Sequence, residues 1–217
     1  RGWHAVFRRA AVLPSGRSSG GVAILSSTRP DIGVTDPGLQ ADGLEHRVLG
    51  LKLKLPGMDP IIAASVYLQA GGGMGETNRT VLSTLARWQD EAQLPLVVGG
   101  DFNLNPTKIL ESDFAVRSGT QIFAPSCSTY RTTKARTTID YFLVSSSLSN
   151  KLRRCQVIEG FPLKPHLPVK VGLQIGCVEW VPVLEMPTKL PTEIPFGPRL
   201  EPMDWREIDE LVEQGHR

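Results

Sequence analysis

Two hydrophobic periods alternate along this chain, and the switches between them delimit its elements. Gly21–Leu25, Arg47–Leu53 and Ile61–Leu68 are short apolar or alternating runs. They are separated by breaks such as Arg29-Pro30-Asp31 and Pro56-Gly57-Met58-Asp59-Pro60, a pattern that predicts strands. With no helical stretch between them, these strands are expected to pair antiparallel. The period then changes: Val81, Leu85, Trp88 and Ala92 share one face at helical spacing, and Arg79, Arg87, Asp90 and Glu91 fall mostly off it. This predicts an amphipathic helix over Glu76–Ala92, packed on a sheet face. Leu94–Val98 follows as a strand. Because a strand–helix–strand crossover favours neighbouring strands, Tyr67 and Asp101 are expected at strand ends lying side by side. Ile139–Val144, Gln156–Ile158 and Leu167–Ile175 complete a β-rich second half, so the expected fold class is a layered α/β sandwich.

Beyond residue 178 the texture changes. Pro182, Pro187, Pro191, Pro195, Pro198 and Pro202 recur every few residues and deny both ladder and helix hydrogen bonds, which predicts a linker or surface strap over 178–202. Within 203–217, Met203–Gln214 reads as a short acidic helix capped by Asp204, with Trp205, Ile208, Leu211 and Val212 as its apolar stripe. Residues 1–177 are then expected to form one domain, which suits 217 residues of which 41% are hydrophobic and 21% charged.

A net charge of +2 is too small to signal nucleic-acid binding by bulk electrostatics, although charge is clustered locally. Cys127, Cys155 and Cys177 are far apart, odd in number and without metal-type spacing. They suggest neither a disulfide framework nor a zinc site, and point to a reducing compartment. No apolar run approaches the ~20 residues of a membrane span, and no signal segment opens the chain. A soluble intracellular protein without a membrane partner is expected, with nucleus and cytoplasm both open. The chain begins at Arg1 without an initiator methionine, which reads as a fragment or a processed piece.

The chemistry concentrates in Leu96-Val97-Val98-Gly99-Gly100-Asp101-Phe102-Asn103, where an apolar run meets two glycines and then a carboxylate and a carboxamide two residues apart. Alternation points Asp101 and Asn103 to one side of a strand end. Gly-Asp-x-Asn taken alone reads equally well as a turn. Two further segments favour a site: Thr137-Thr138-Ile139-Asp140-Tyr141-Phe142 and Lys164-Pro165-His166-Leu167-Pro168-Val169 each place an ionisable residue at the mouth of an apolar strand.

Together with Ser19-Gly20-Gly21-Val22-Ala23-Ile24, Val66-Tyr67-Leu68 and Thr129-Tyr130, these segments resemble the endonuclease/exonuclease/phosphatase superfamily, the group of deoxyribonuclease I, in order and spacing. The resemblance covers about the first 175 residues. It implies two packed, mostly antiparallel sheets flanked by helices, and a phosphodiester hydrolase dependent on magnesium or manganese. Its expected catalytic set is Asp101 as base for the attacking water, Asn103 to orient water or phosphate, Asp140 paired with His166, and Tyr67 near the scissile phosphate. Arg131, Lys134 and Arg136 are expected to contact a phosphate backbone, most naturally that of DNA, with Lys151, Arg153 and Arg154 as a second basic cluster.

The chain departs from the family pattern in two places. The first strands are missing, including those that end in an asparagine and in the principal metal-binding glutamate. Pro165 stands where the family often has aspartate. Asp101 and Asn103 would then form only a partial metal site, with weak metal binding and doubtful activity in these 217 residues. A phosphatase of inositol phosphates or other small phosphoesters is the enzymatic alternative, and a non-catalytic remnant binding nucleic acid or protein is the other.

Overall fold

A computed structural model of the chain describes residues 2–28, 31–162 and 164–176. The predicted strap over 178–202 and helix over Met203–Gln214 lie outside the described residues.

Strand β1 (Trp3–Arg8) pairs antiparallel with β4 (Val22–Ser27), and β2 (Ala11–Val12) with β3 (Ser18–Ser19) lies in the connection between them. The main sheet has six strands in the order β5 (Gly33–Thr35), β6 (Val48–Lys54), β7 (Ile61–Tyr67), β8 (Leu96–Asp101), β12 (Asp140–Ser145), β9 (Thr120–Phe123). Every neighbouring pair in it is antiparallel except β7 and β8, which are parallel. Helix α1 (Glu76–Ala92) makes the crossover between that parallel pair, with the predicted bounds. The short helices α2 (Pro106–Leu110) and α3 (Phe114–Arg117) lead to β9. Two small ladders, β10 (Tyr130–Arg131) with β11 (Arg136–Thr137) and β13 (Gln156–Val157) with β14 (Val169–Lys170), and a 3-10 turn over Ser146–Lys151 complete the described elements.

Strand alternation divides the core into two layers. On one side of the sheet, Val48, Ile62, Ala64, Val66, Leu96, Val98, Tyr141 and Leu143 pack beneath Val81, Leu82, Leu85 and Trp88 of α1. Each of these large side chains contributes about 1.5–3 kcal/mol by leaving water. Trp88 is 1% exposed and lies flat over Gly50, where a Cβ would stand 2.8 Å from its ring, and its indole N–H donates to the Gln40 carbonyl at 2.8 Å. On the opposite side, β1–β4 covers one part of the sheet through Val6, Val22 and Ile24 on Leu49 and Leu51. Leu148, Leu152 and Leu173 cover another part by packing on Ile61, Val97 and Val144. The second layer of the expected sandwich is thus built from short two-stranded ladders rather than a sheet as wide as the first.

Two sequence expectations are corrected here. β8 does not end before its glycines but runs through them to Asp101. Leu167–Ile175 is not a continuous strand: only Val169–Lys170 pairs as one, followed by a single bridge from Leu173 to Leu152.

Candidate active site

The sheet topology brings the chemistry to one edge. Because β7 and β8 run parallel, both deliver their carboxyl ends to the same side, and antiparallel β12 delivers its amino end there. The register aligns Tyr67 with Asp101 and Asp101 with Asp140. Directly opposed residues share a sheet face, so the three side chains stand in a row.

The glycines before Asp101 fit this crowding. A Cβ at Gly99 would come within 2.7 Å of the Phe142 ring, and one at Gly100 would overlap the Val66 carbonyl oxygen. Beyond the strand, Phe102 turns inward, is fully buried, and stacks on Tyr141 with ring centroids 4.2 Å apart. Asn103 then takes a left-handed conformation with φ of 48°. Its N–H donates to Asp101 Oδ1 at 2.9 Å, and its side-chain Nδ2 donates to the Leu68 carbonyl at 2.8 Å. The Asn103 amide nitrogen is therefore spent on tying the end of β8 to the end of β7, while Asp101 keeps Oδ2 outside that turn.

His166 comes from a segment 26 residues after Asp140, and its Nδ1 lies 3.1 Å from both Asp140 carboxylate oxygens. The Tyr130 ring meets the imidazole edge-on at a centroid distance of 5.0 Å. Asp101, Asp140 and His166 each present one atom within 4.8 Å of the others. Burial pushes the Asp101 carboxyl above its ordinary value, the neighbouring Asp140 adds to the rise, and the Asn103 N–H and His166 oppose it. Beside this cluster a cleft of about 380 Å³ is lined by Phe142, Phe161, Leu167, Pro168 and Val169.

One cation at this edge has no counterpart in the sequence reading. Arg47 is 5% exposed, yet it forms no ion pair with a carboxylate among the described residues. Its Nη2 donates to Ser19 Oγ at 3.0 Å, Nη1 approaches the Tyr67 carbonyl at 3.5 Å, and its guanidinium carbon stands 5.9 Å from the centre of the Tyr67 ring. The available signal was a charged residue opening the otherwise apolar run Val48-Leu49-Gly50-Leu51. Burying a cation without an acid is costly, which marks the residue.

The expected basic contacts divide. Arg131 is held in a two-pronged pair with Glu159 at 2.9 and 3.2 Å, and its Nε donates to Ser128, so it does not stand free for a phosphate backbone. Lys134 and Arg136 are exposed on the β10–β11 hairpin, whose Tyr130 bridges to His166. Lys151, Arg153 and Arg154 follow the far end of β12, away from Asp140. Pro165 offers the site no side-chain ligand, and its carbonyl accepts from the Arg131 N–H at 3.0 Å.

Residues 2–162 match the endonuclease/exonuclease/phosphatase family. The chain belongs to that family. Members of this family are phosphoric ester hydrolases, and the chain shares their fold with solved structures at low identity. It is similar to the endonuclease domain of TRAS1, a telomere-specific non-LTR retrotransposon, at 13% identity and a TM-score of 0.60 over 79% of each chain. It is also similar to AP endonuclease LMAP of Leishmania major at 16% identity and 0.61, covering 81% of this chain and 71% of that one. The 3' phosphatase NExo of Neisseria, solved with a product DNA hairpin, matches at 20% identity and 0.56 over 80% of each chain. No curated protein matches the sequence.

The family is generally dependent on a divalent metal, and the donors here can be tested against that requirement. Asp101 supplies a hard oxygen whose charged form is disfavoured by burial, a cost that a bound cation would relieve. Asp140 is engaged by His166 through both oxygens, so Asp101, whose Oδ2 lies outside the Asn103 turn, is the carboxylate of the cluster with an uncommitted oxygen. This set fits a hard divalent cation held by one or two carboxylates and completed by water and substrate oxygens.

Proposed function

We propose that this family member is a divalent-metal-dependent phosphodiester hydrolase acting on nucleic acid, with Asp101, Asp140 and His166 as its reacting centre. The Asp140–His166 pair, 3.1 Å apart and within 4.8 Å of Asp101, is the observation that carries this reading.

In this reading Asp101 is the base that takes a proton from the attacking water. Asp140 accepts from His166 Nδ1–H and fixes the tautomer and ring plane, which leaves Nε2 to meet a phosphate oxygen. Arg47 supplies a fixed positive charge along the same edge, behind Tyr67. Asn103 holds the β7 and β8 ends together, and its side-chain oxygen is the atom left to orient water or phosphate. A magnesium or manganese ion held by Asp101 would neutralise charge on the phosphate oxygens. Nucleic acid is favoured over a small phosphoester by the exposed Lys134 and Arg136 hairpin beside His166. The retrotransposon and DNA-bound neighbours support the same preference.

The test is cleavage of duplex DNA, single-stranded RNA and a small phosphomonoester by the purified chain, with magnesium or manganese and with chelator. Metal-dependent cleavage of a nucleic acid is expected, weak and saturating only at high metal, and reduced by about 10²–10⁴-fold in Asp101→Ala and His166→Ala. Hydrolysis of the monoester alone would shift the reading to a phosphatase. Nucleic-acid binding without any turnover would leave the remnant.

A further inference from the structure

Thr129 is 0% exposed and stands where three chain segments of the site meet. Its Oγ1 accepts from two successive backbone N–H groups at the mouth of β12, those of Ile139 and Asp140, both at 3.0 Å. Its carbonyl accepts from the Leu167 N–H at 2.7 Å, the peptide immediately after His166. Its own N–H donates to the Thr137 carbonyl at 3.0 Å. The neighbouring residues extend the same seam: Tyr130 bridges to His166, and the Arg131 N–H donates to the Pro165 carbonyl at 3.0 Å.

We propose that Thr129 is a positioning residue for the Asp140–His166 pair, its hydroxyl holding the backbone of one partner and its carbonyl the backbone of the other. No other described side chain bonds to both N–H groups at the β12 mouth. The two partners come from segments 26 residues apart, so their 3.1 Å approach depends on whatever fixes those segments to each other. A single buried threonine does so from both sides. Removing its hydroxyl leaves two partly buried N–H groups without an acceptor and frees the mouth of β12 to shift relative to His166. Serine keeps the hydroxyl and loses only a methyl group, whereas valine keeps the shape and loses the oxygen.

The inference rests on the reading of Asp140 and His166 as a working pair, and the experiment separates the two. Wild type, Thr129→Val and Thr129→Ser are compared in the full chain by proton NMR for the downfield Nδ1–H resonance of a histidine bonded to a carboxylate, and by hydrogen exchange at Ile139, Asp140 and Leu167. Thr129→Val should lose or broaden that resonance and lose protection at these amides. Thr129→Ser should retain both. Where cleavage is measurable, Thr129→Val should lower kcat by about 10²-fold, the effect of misplacing a reacting group by about 1 Å, with KM nearly unchanged, and Thr129→Ser should restore it. A Thr129→Val protein that keeps the resonance and the amide protection overturns the proposal, as does a Thr129→Ser protein that loses them. Absence of cleavage by wild type with the resonance lost in valine alone would sink the catalytic reading and leave the positioning role standing. If Thr129→Val does not fold, the serine variant still decides: wild-type resonance and protection support the role, and their loss refutes it.

Discussion

Asp101→Asn should make the metal-free protein more stable at neutral pH while abolishing the proposed hydrolysis. Burial and the neighbouring Asp140 both disfavour the Asp101 carboxylate, so the folded chain binds its proton more tightly than the unfolded chain does. Stability is therefore lost as pH rises from the ordinary carboxylate value of 3.8 through the raised value, and the deficit persists above it. Two like charges within 4.8 Å repel by about 3 kcal/mol at an effective dielectric of about 20. Solvent screening at a half-buried group, the attraction to His166 and the Asn103 hydrogen bond remove most of that. About 1 kcal/mol remains as the gain expected from an uncharged amide, whose Oδ1 still accepts from Asn103. For a chain of this size that is a rise of about 2–4 °C in Tm. The assay is thermal unfolding in chelator across pH 4–8, wild type against Asp101→Asn. The gain should be full near pH 8 and shrink toward nothing near the ordinary carboxylate pKa. A gain of constant size across that range, or a less stable variant at pH 8, would refute the electrostatic account of this site.

Two further outcomes follow from the same edge. Gly100→Ala should destabilise the fold by about 3 kcal/mol, because its Cβ has no space beside the Val66 carbonyl and would pry apart the parallel pair; chemical denaturation reads this, and a loss under about 1 kcal/mol would contradict it. Arg47→Met should weaken oligonucleotide binding and reduce the slope of log K against log salt by about 1; an unchanged slope would mean that Arg47 meets no phosphate.

The helix was legible to the residue because its buried face, Val81, Leu85 and Trp88, repeats at the helical period with charges opposite. β7 and β8 were legible as neighbours for the same reason, since the crossover between them could be read. β1 escaped the sequence reading: its apolar residues Trp3 and Phe7 lie on the outer face, 69% and 58% exposed, while the inner face carries His4 and Arg8 on either side of Val6. Leu167–Ile175 carried strand-like alternation, but beyond Val169–Lys170 its contact with residues 151–153 is limited to single backbone bonds around the Leu152–Leu173 bridge, too few to form a ladder. In the candidate site, Asp101, Asp140 and His166, which the structure brings within 4.8 Å of one another, were legible because each opens or closes an apolar run. The occupation of Arg131 by Glu159 could not be, because the acid lies 28 residues away and belongs to no motif. Arg47 was hidden for a related reason, and Thr129 was legible only as part of the family resemblance: what distinguishes both is burial together with unusual partners, neither of which has a local spacing.

The 26-residue separation of Asp140 and His166 also sets a timetable. As the chain leaves the ribosome, Asp101 and Asp140 emerge first, and at about 5–20 residues per second His166 follows Asp140 after roughly 1–5 s. During that interval the growing chain carries two closely placed carboxylates with neither an imidazole nor a Leu167 amide to complete the seam. Completion of the proposed Asp140–His166 pair therefore waits until the segment carrying His166 has docked against the mouth of β12.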